Sequence, residues 1–247
     1  MGGLIPLGDA SRPRTRFAVV TVLIILLNAY VFLQELTYGD RYIWMWSAVP
    51  IRIMHGHRWI TLLTSMFMHA SWMHIIGNMI YLWAFGREIE NAMGGLRFLA
   101  FYLIGGVVAM MSQILASPYS HVPCLGASGA IAAVMGAFLI TYPRDRIRTV
   151  IFFLIFVRIA FIPAALLIGF WFLMQVMNLG VVAQVRTGGV AYLAHIGGFL
   201  FGVATARLFS DPRRLVQRDY STGLQLPLGK GVSRASRVSV SIGRAMR

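Results

Sequence analysis

A serine and a histidine each stand inside sequence too apolar to belong anywhere but a membrane. Gly126-Ala127-Ser128-Gly129 opens a run of uncharged residues that ends at Pro143, and Ala194-His195-Ile196-Gly197-Gly198 lies within a second run near residue 200. An ionisable or polar side chain at bilayer depth is costly unless it finds a partner, and such residues mark functional sites by default. Serine and histidine are also the residue types of a nucleophile and its general base. A third polar cluster, His74-Ile75-Ile76-Gly77-Asn78, interrupts another apolar stretch. Three polar sites on three apolar segments therefore point to peptide-bond chemistry carried out inside a membrane.

Composition agrees with that setting. Of 247 residues, 58% are hydrophobic and 12% charged, against about 25% charged in soluble domains. The net charge of +14 might suggest a nucleic-acid partner. Its distribution argues otherwise, because all but Arg41, Arg52, Arg58 and Arg186 fall in segments that a six-span topology puts on one side. This is the positive-inside asymmetry, with both termini in the cytoplasm. The basic residues have a secondary role in holding anionic membrane lipids. No basic and aromatic interleaving marks a nucleic-acid site, so nucleic acid is excluded as a partner. The start, Met1 to Ala10, with Asp9 as its one charged side chain, is neither a cleavable signal peptide nor an Arg-rich transit peptide. On that ground, and on the compact six-span core set out below, the expected location is a bacterial cytoplasmic membrane, with an organellar membrane as the alternative.

Hydropathy predicts an all-α membrane protein of six spans: Phe17 to Leu36, about Ser71 to Phe85, Phe98 to Ala116, Ala127 to Tyr142, Pro163 to Leu179 and Val190 to Phe209. The expected domain limits are 1–16 for a cytoplasmic N-terminal segment, 17–209 for the bundle and 210–247 for a basic, disordered cytoplasmic tail. The long first loop carries Tyr42, Trp44, Trp46 and Trp59, amphipathic aromatics that suit a membrane interface. Val150 to Ile159 reads as an interfacial or re-entrant piece. The fourth span has 16 residues before Pro143, about 24 Å at 1.5 Å per residue, which is short of a 30 Å core. Ser128 is therefore expected at the floor of a water-accessible depression, not at the outer surface.

Helices in lipid associate through small residues spaced by four. Ala194, Gly198, Gly202 and Ala206 form such a stripe on the sixth span, with Gly198 and Gly202 as its closest-packing members. The fourth span offers Ser128, Ala132 and Gly136, with Gly129, Ala133 and Ala137 beside them. Facing stripes would bring Ser128 within reach of His195. His74 and Asn78 are i and i+4, hence on one helix face, and both can donate hydrogen bonds. With the Ser128 backbone N–H at a helix start, they are candidates to stabilise an oxyanion. Cys124, the single cysteine, reads as a small apolar loop residue. His69 and His74 are five apart with no intervening Glu, unlike a His-Glu-x-x-His zinc helix, and no metal or other cofactor is expected.

These motifs resemble those of the rhomboid intramembrane serine proteases. The resemblance runs from about Arg58 to Phe209 and rests on His74-x-x-x-Asn78, Gly126-Ala127-Ser128-Gly129 and Ala194-His195-x-Gly197-Gly198-x-x-x-Gly202 in order. Phe85-Gly86-x-x-x-Glu90-x-x-x-Gly94 resembles a fourth signature. It implies a six-helix rhomboid-like bundle with a membrane-associated first loop, and a Ser128–His195 dyad without a carboxylate. It also implies an oxyanion site of His74, Asn78 and the Ser128 amide, transmembrane proteins as substrates, and the fifth helix or a surface loop as gate. Two departures stand out. Ala132 occupies the position where some members stack a tyrosine on the histidine, so another group must orient His195, and Arg58-Trp59 reverses the family's Trp-Arg pair. A catalytically inactive rhomboid-like protein that only binds transmembrane helices is the alternative. A transporter would instead string polar groups through the midplane.

Overall fold

The computed structural model describes residues 2–11, 17–153, 156–182 and 191–215. Its helices, in chain order, are α1 (Val19–Tyr38), α2 (Asp40–Trp46), α3 (Pro50–Met54), α4 (Thr61–Thr64), α5 (Trp72–Tyr81), α6 (Arg87–Met93), α7 (Gly95–Ala116), α8 (Ser128–Thr141), α9 (Ala164–Val182) and α10 (Tyr192–Phe209). A π-helical turn, Leu82–Gly86, joins α5 to α6, so the second predicted span is one run of three pieces. Among the described residues three helices, α1, α7 and α10, are long and apolar enough to cross a membrane, and α8 and Ala164–Leu179 of α9 are shorter apolar helices. Length and composition thus support membrane insertion at several places without carrying the count of six.

A small antiparallel sheet corrects the all-α expectation. Strands β1 (Gly2–Asp9), β2 (Arg146–Phe153) and β3 (Phe156–Pro163) are ordered β1-β2-β3. The β2–β3 hairpin replaces the re-entrant piece expected at Val150 to Ile159. Its β-branched and aromatic residues favour a pleated surface. Along β2, Ile147 and Thr149 are buried while Arg146 and Arg148 are exposed, the period-two pattern of a strand with one covered face. The N-terminal segment completes the sheet: Leu4 pairs with Ile151 and Ile5 with Val150, and the register slips between Pro6 and Gly8. The first residues of the expected tail also pack, with Asp211 N–H donating to the Ala92 carbonyl at 3.0 Å. The rest of that tail, 216–247, lies outside the described residues, as does Arg186.

Between Thr37 and Ser65 the first loop folds into short helices. Its aromatics stay partly outside, Trp44 and Trp59 being exposed, and Tyr42 bridges Tyr38 and Trp46 with ring centroids at 5.8 and 6.3 Å. Arg58, at φ 60°, donates to the Met45 carbonyl and so ties the stretch before α4 to α2.

The N-terminus of α1 has no side-chain cap of its own, leaving its first N–H groups without partners. Glu90 of α6 supplies them, accepting from Val20 N–H at 2.9 Å, Thr21 N–H at 2.7 Å and Thr21 Oγ1–H at 2.8 Å. A buried carboxylate is thereby satisfied by the helix end it caps, and α1 is fixed to the floor of the bundle.

At the centre, α8 is buried on nearly every side, and α7 and α10 pack against it. The helices meet at glycines. A Cβ on Gly198 would overlap the Gly129 carbonyl, one on Gly202 the Ala133 carbonyl, and one on Gly136 the Phe199 carbonyl. The α10 stripe is therefore the one predicted, but the facing stripe on α8 is Gly129, Ala133 and Gly136, not Ser128, Ala132 and Gly136. The difference of one residue turns Ser128 toward the rim of the interface. Gly202→Val should accordingly cost about 1–3 kcal/mol or more through overpacking against backbone that cannot retreat. The check is thermal denaturation in detergent beside an activity assay, and wild-type values in both would place Gly202 outside the contact.

Candidate functional site

Gly126 and Ala127 lead into α8 so that Ser128 is its first residue, and no side chain caps the helix start. The α8 N-terminus therefore keeps free N–H groups and the positive end of the helix dipole beside the serine hydroxyl. The loop that delivers Ser128 is anchored twice. Gly126 N–H donates to the Ser65 carbonyl at 2.8 Å, and Ala48 and Cys124 exchange backbone hydrogen bonds at 3.0 and 2.7 Å. Gly126 adopts φ 124°, open to glycine and strained for other residues. Its missing side chain also makes room for His74, whose Cε1 and Nε2 lie 2.8 Å from where a Cβ would stand.

Ser128 Oγ lies 2.7 Å from His195 Nε2. Close packing of α10 on α8 brings the two residues together, through Gly129 and Ala133 and not through the expected stripe that contains Ser128. The other imidazole nitrogen, Nδ1, lies 2.8 Å from Gln175 Oε1 of α9, and Gln175 Nε2 donates to the Trp171 carbonyl at 3.1 Å. With its amide so oriented, Gln175 offers Nδ1 an acceptor, which puts the imidazole proton on Nδ1 and leaves Nε2 free to accept from Ser128. Trp171 and Tyr192 flank the ring, with centroids at 5.8 and 6.4 Å. Aromatic contacts to the ring are thus made from α9 and α10, while position 132 holds an alanine.

His74 Nδ1 accepts a 3.4 Å hydrogen bond from Ala70 N–H, so the ring proton is on Nε2, the nitrogen aimed at Gly126 and the start of α8. Ser71 Oγ caps α5 by accepting from His74 N–H at 3.2 Å, which sets where that helix begins. Asn78, one turn further, is buried. Its Nδ2 donates to His69 Nε2 at 2.9 Å, leaving the second amide proton uncommitted in this contact. Burial, chiefly, pushes His69 down to about 3, with His74 beside it adding to the effect; the ring is neutral and able to accept. Glu35, the carboxylate nearest in sequence to this side, is taken up by the His69 backbone N–H at 2.9 and 3.1 Å. It orders the turn before α5 and does not reach His195. Cys124 stays a thiol, burial pushing it up to about 11.

Sequence reasoning missed Gln175 and the Asn78–His69 contact. The signal for Gln175 was available: a polar residue in the apolar run Ala164 to Leu179 needs a partner as much as Ser128 does. His69 was weighed only as a metal ligand.

These features define a class: a multi-helix membrane protein whose polar groups converge on a serine at the start of a short, glycine-packed helix. The Rhomboid domain profile matches residues 56–212, and the chain belongs to the rhomboid family. It is 28% identical over 150 residues to the yeast (Saccharomyces cerevisiae) Rhomboid protein 1, mitochondrial, a match covering 58% of this chain and 40% of the relative. To the human Presenilin-associated rhomboid-like protein, mitochondrial, it is 32% identical over 152 residues, or 58% and 36% of the two chains. To the Rhomboid protease GluP of Bacillus subtilis it is 38% identical over 81 residues, or 33% and 15%. The matches span less than half the length of each of these relatives. Because the yeast and human relatives are mitochondrial by name, the expected bacterial cytoplasmic membrane gains no support.

Proposed function

We propose that this protein is an intramembrane serine endopeptidase that cleaves transmembrane proteins in or near their membrane-spanning helices. The observation that carries this reading is the 2.7 Å contact between Ser128 Oγ and His195 Nε2, made by two residues 67 positions apart within apolar helices. Ser128 Oγ attacks the substrate carbonyl carbon while His195 Nε2 takes the hydroxyl proton. The negative charge that develops on the carbonyl oxygen is met by the Ser128 N–H, the His74 Nε2–H and the second Asn78 amide proton. His195 then protonates the leaving amine, and a water activated by the same imidazole releases the acyl group from Ser128. The remaining expectations form part of this proposal: six crossings with both termini on the cytoplasmic side, 17–209 as the protease domain, the first loop at the membrane surface, and lipids and transmembrane substrates as partners.

An intact helix hides its peptide bonds behind side chains and its own hydrogen bonds, so Ser128 can attack only an extended segment. Unwinding exposes backbone groups that lipid cannot satisfy, and is cheapest where Gly or Pro already weakens the helix. Cleavage of a reconstituted transmembrane substrate should fall as such residues below the scissile bond are replaced by Leu or Ala. Rates indifferent to that series would rule out unwinding as the basis of selection, and no cleavage of any such substrate would count against the protease reading.

A further inference from the structure

We propose that Gln175 is a positioning residue for His195, selecting the Nδ1–H tautomer and fixing the ring plane, so that the general base is held from α9. The inference rests on the dyad reading above and goes beyond it by supplying the group that orients the base in place of a carboxylate.

The reasoning begins with α9 itself. Ala164, Ile168, Trp171 and Gln175 follow one another at spacings of four, three and four, so they lie on one helix face. Ala164, Ile168 and Gln175 are buried, whereas Leu166, Phe170, Leu173 and Met177 are exposed. The helix thus leans on the bundle by a narrow stripe, and Gln175 is a buried polar side chain within it. Phe172 stacks on Phe199 of α10, with centroids 4.3 Å apart, and sets the height at which Gln175 meets His195.

At that height both functions of the amide are used. Nε2 donates to the Trp171 carbonyl one turn back, which prevents the amide from presenting a donor to the imidazole. Oε1 is left to accept from His195 Nδ1–H at 2.8 Å. An imidazole in the other tautomer would set a lone pair against Oε1, an unfavourable contact, and would donate to Ser128 Oγ, which leaves no nitrogen to take the serine proton. Being uncharged, glutamine orients the ring without adding the electrostatic stabilisation of an imidazolium that a carboxylate would give. Both ring nitrogens are occupied, by Ser128 and Gln175, and Trp171 and Tyr192, which flank the ring, offer its nitrogens no such hydrogen bond, so the choice of tautomer falls to Gln175.

The test compares Gln175→Leu and Gln175→Glu in the full chain, purified in detergent. It measures Ser128 labelling by a fluorophosphonate, then kcat and KM for a transmembrane substrate across pH. Gln175→Leu should slow labelling and kcat together with KM unchanged, by between about 10-fold and the roughly 10⁴-fold seen when a serine protease histidine is held in the wrong tautomer. Gln175→Glu keeps an acceptor for Nδ1–H, so it should retain activity. Its negative charge favours the imidazolium, so the acid limb of its kcat profile should move to higher pH. Wild-type labelling by Gln175→Leu would overturn the proposal. So would a Gln175→Glu variant as slow as Gln175→Leu with an unmoved acid limb, which is the signature of packing alone. Should Gln175→Leu not fold, Gln175→Glu decides by itself: a shifted limb supports the proposal and an unshifted one overturns it. Labelling that persists in Ser128→Ala would mark a different failure, that of the dyad, and would take this proposal with it.

Discussion

Ser128→Ala is expected to abolish substrate cleavage while leaving the helical bundle intact. The serine is only half buried at the rim of the α8–α10 contact, and the backbone atoms that pack against α10 belong to Gly129 and Ala133. The substitution therefore removes the hydroxyl that meets His195 and disturbs little of the packing. Loss of a nucleophile that acts as a unit with its base costs about 10⁴-fold or more in kcat, the remainder being supplied by binding and the oxyanion site. His195→Ala should be as inactive, and the double variant no worse than either single one, because neither residue has a function in this step without the other. Cleavage assays in liposomes, with circular dichroism and thermal denaturation in detergent as the fold control, measure the effect. Additive losses in the double variant would mean that the two side chains act independently, which a 2.7 Å hydrogen bond does not predict.

The second large effect is expected at Asn78. Removing one oxyanion donor costs about 10²–10³-fold in kcat, since the interaction is made with charge that appears only in the transition state. Asn78→Ala should therefore lower kcat by up to that factor and leave KM near its wild-type value. Its amide is held by His69 Nε2 at 2.9 Å, so His69→Ala should show a weaker form of the same kcat defect by letting the amide turn. An unchanged kcat with a raised KM for Asn78→Ala would move Asn78 from oxyanion stabilisation to substrate binding.

The helices were legible because lipid imposes a simple rule on them. Long uncharged runs must be helical, and their limits at Tyr38, Ala116, Thr141 and Phe209 lie within two residues of where polar residues, proline or loop signals interrupt the runs. Ser128 and His195 stood out for the same reason, since polar side chains are expensive where they stand. The sheet was not. β1 pairs with a strand some 145 positions away, and Gly3, Pro6 and Gly8 give it no strand pattern of its own. Which stripe of α8 faces α10 was also beyond reach. Ser128-Ala132-Gly136 and Gly129-Ala133-Gly136 share Gly136, their other members are displaced by one residue, and both consist of small residues. Gln175 marks the boundary between the two cases. Its need for a partner could be read from the sequence, whereas the identity of that partner required α9 and α10 to be placed side by side.

The central claim is that His195 activates Ser128 as a nucleophile, and covalent labelling by a fluorophosphonate followed by peptide mapping tests it most directly. The account predicts a single phosphonylated residue, Ser128, in the wild-type chain, with labelling lost in Ser128→Ala and strongly slowed in His195→Ala. A folded wild-type protein that takes up no label, or label that maps to another residue and persists in both variants, would contradict it.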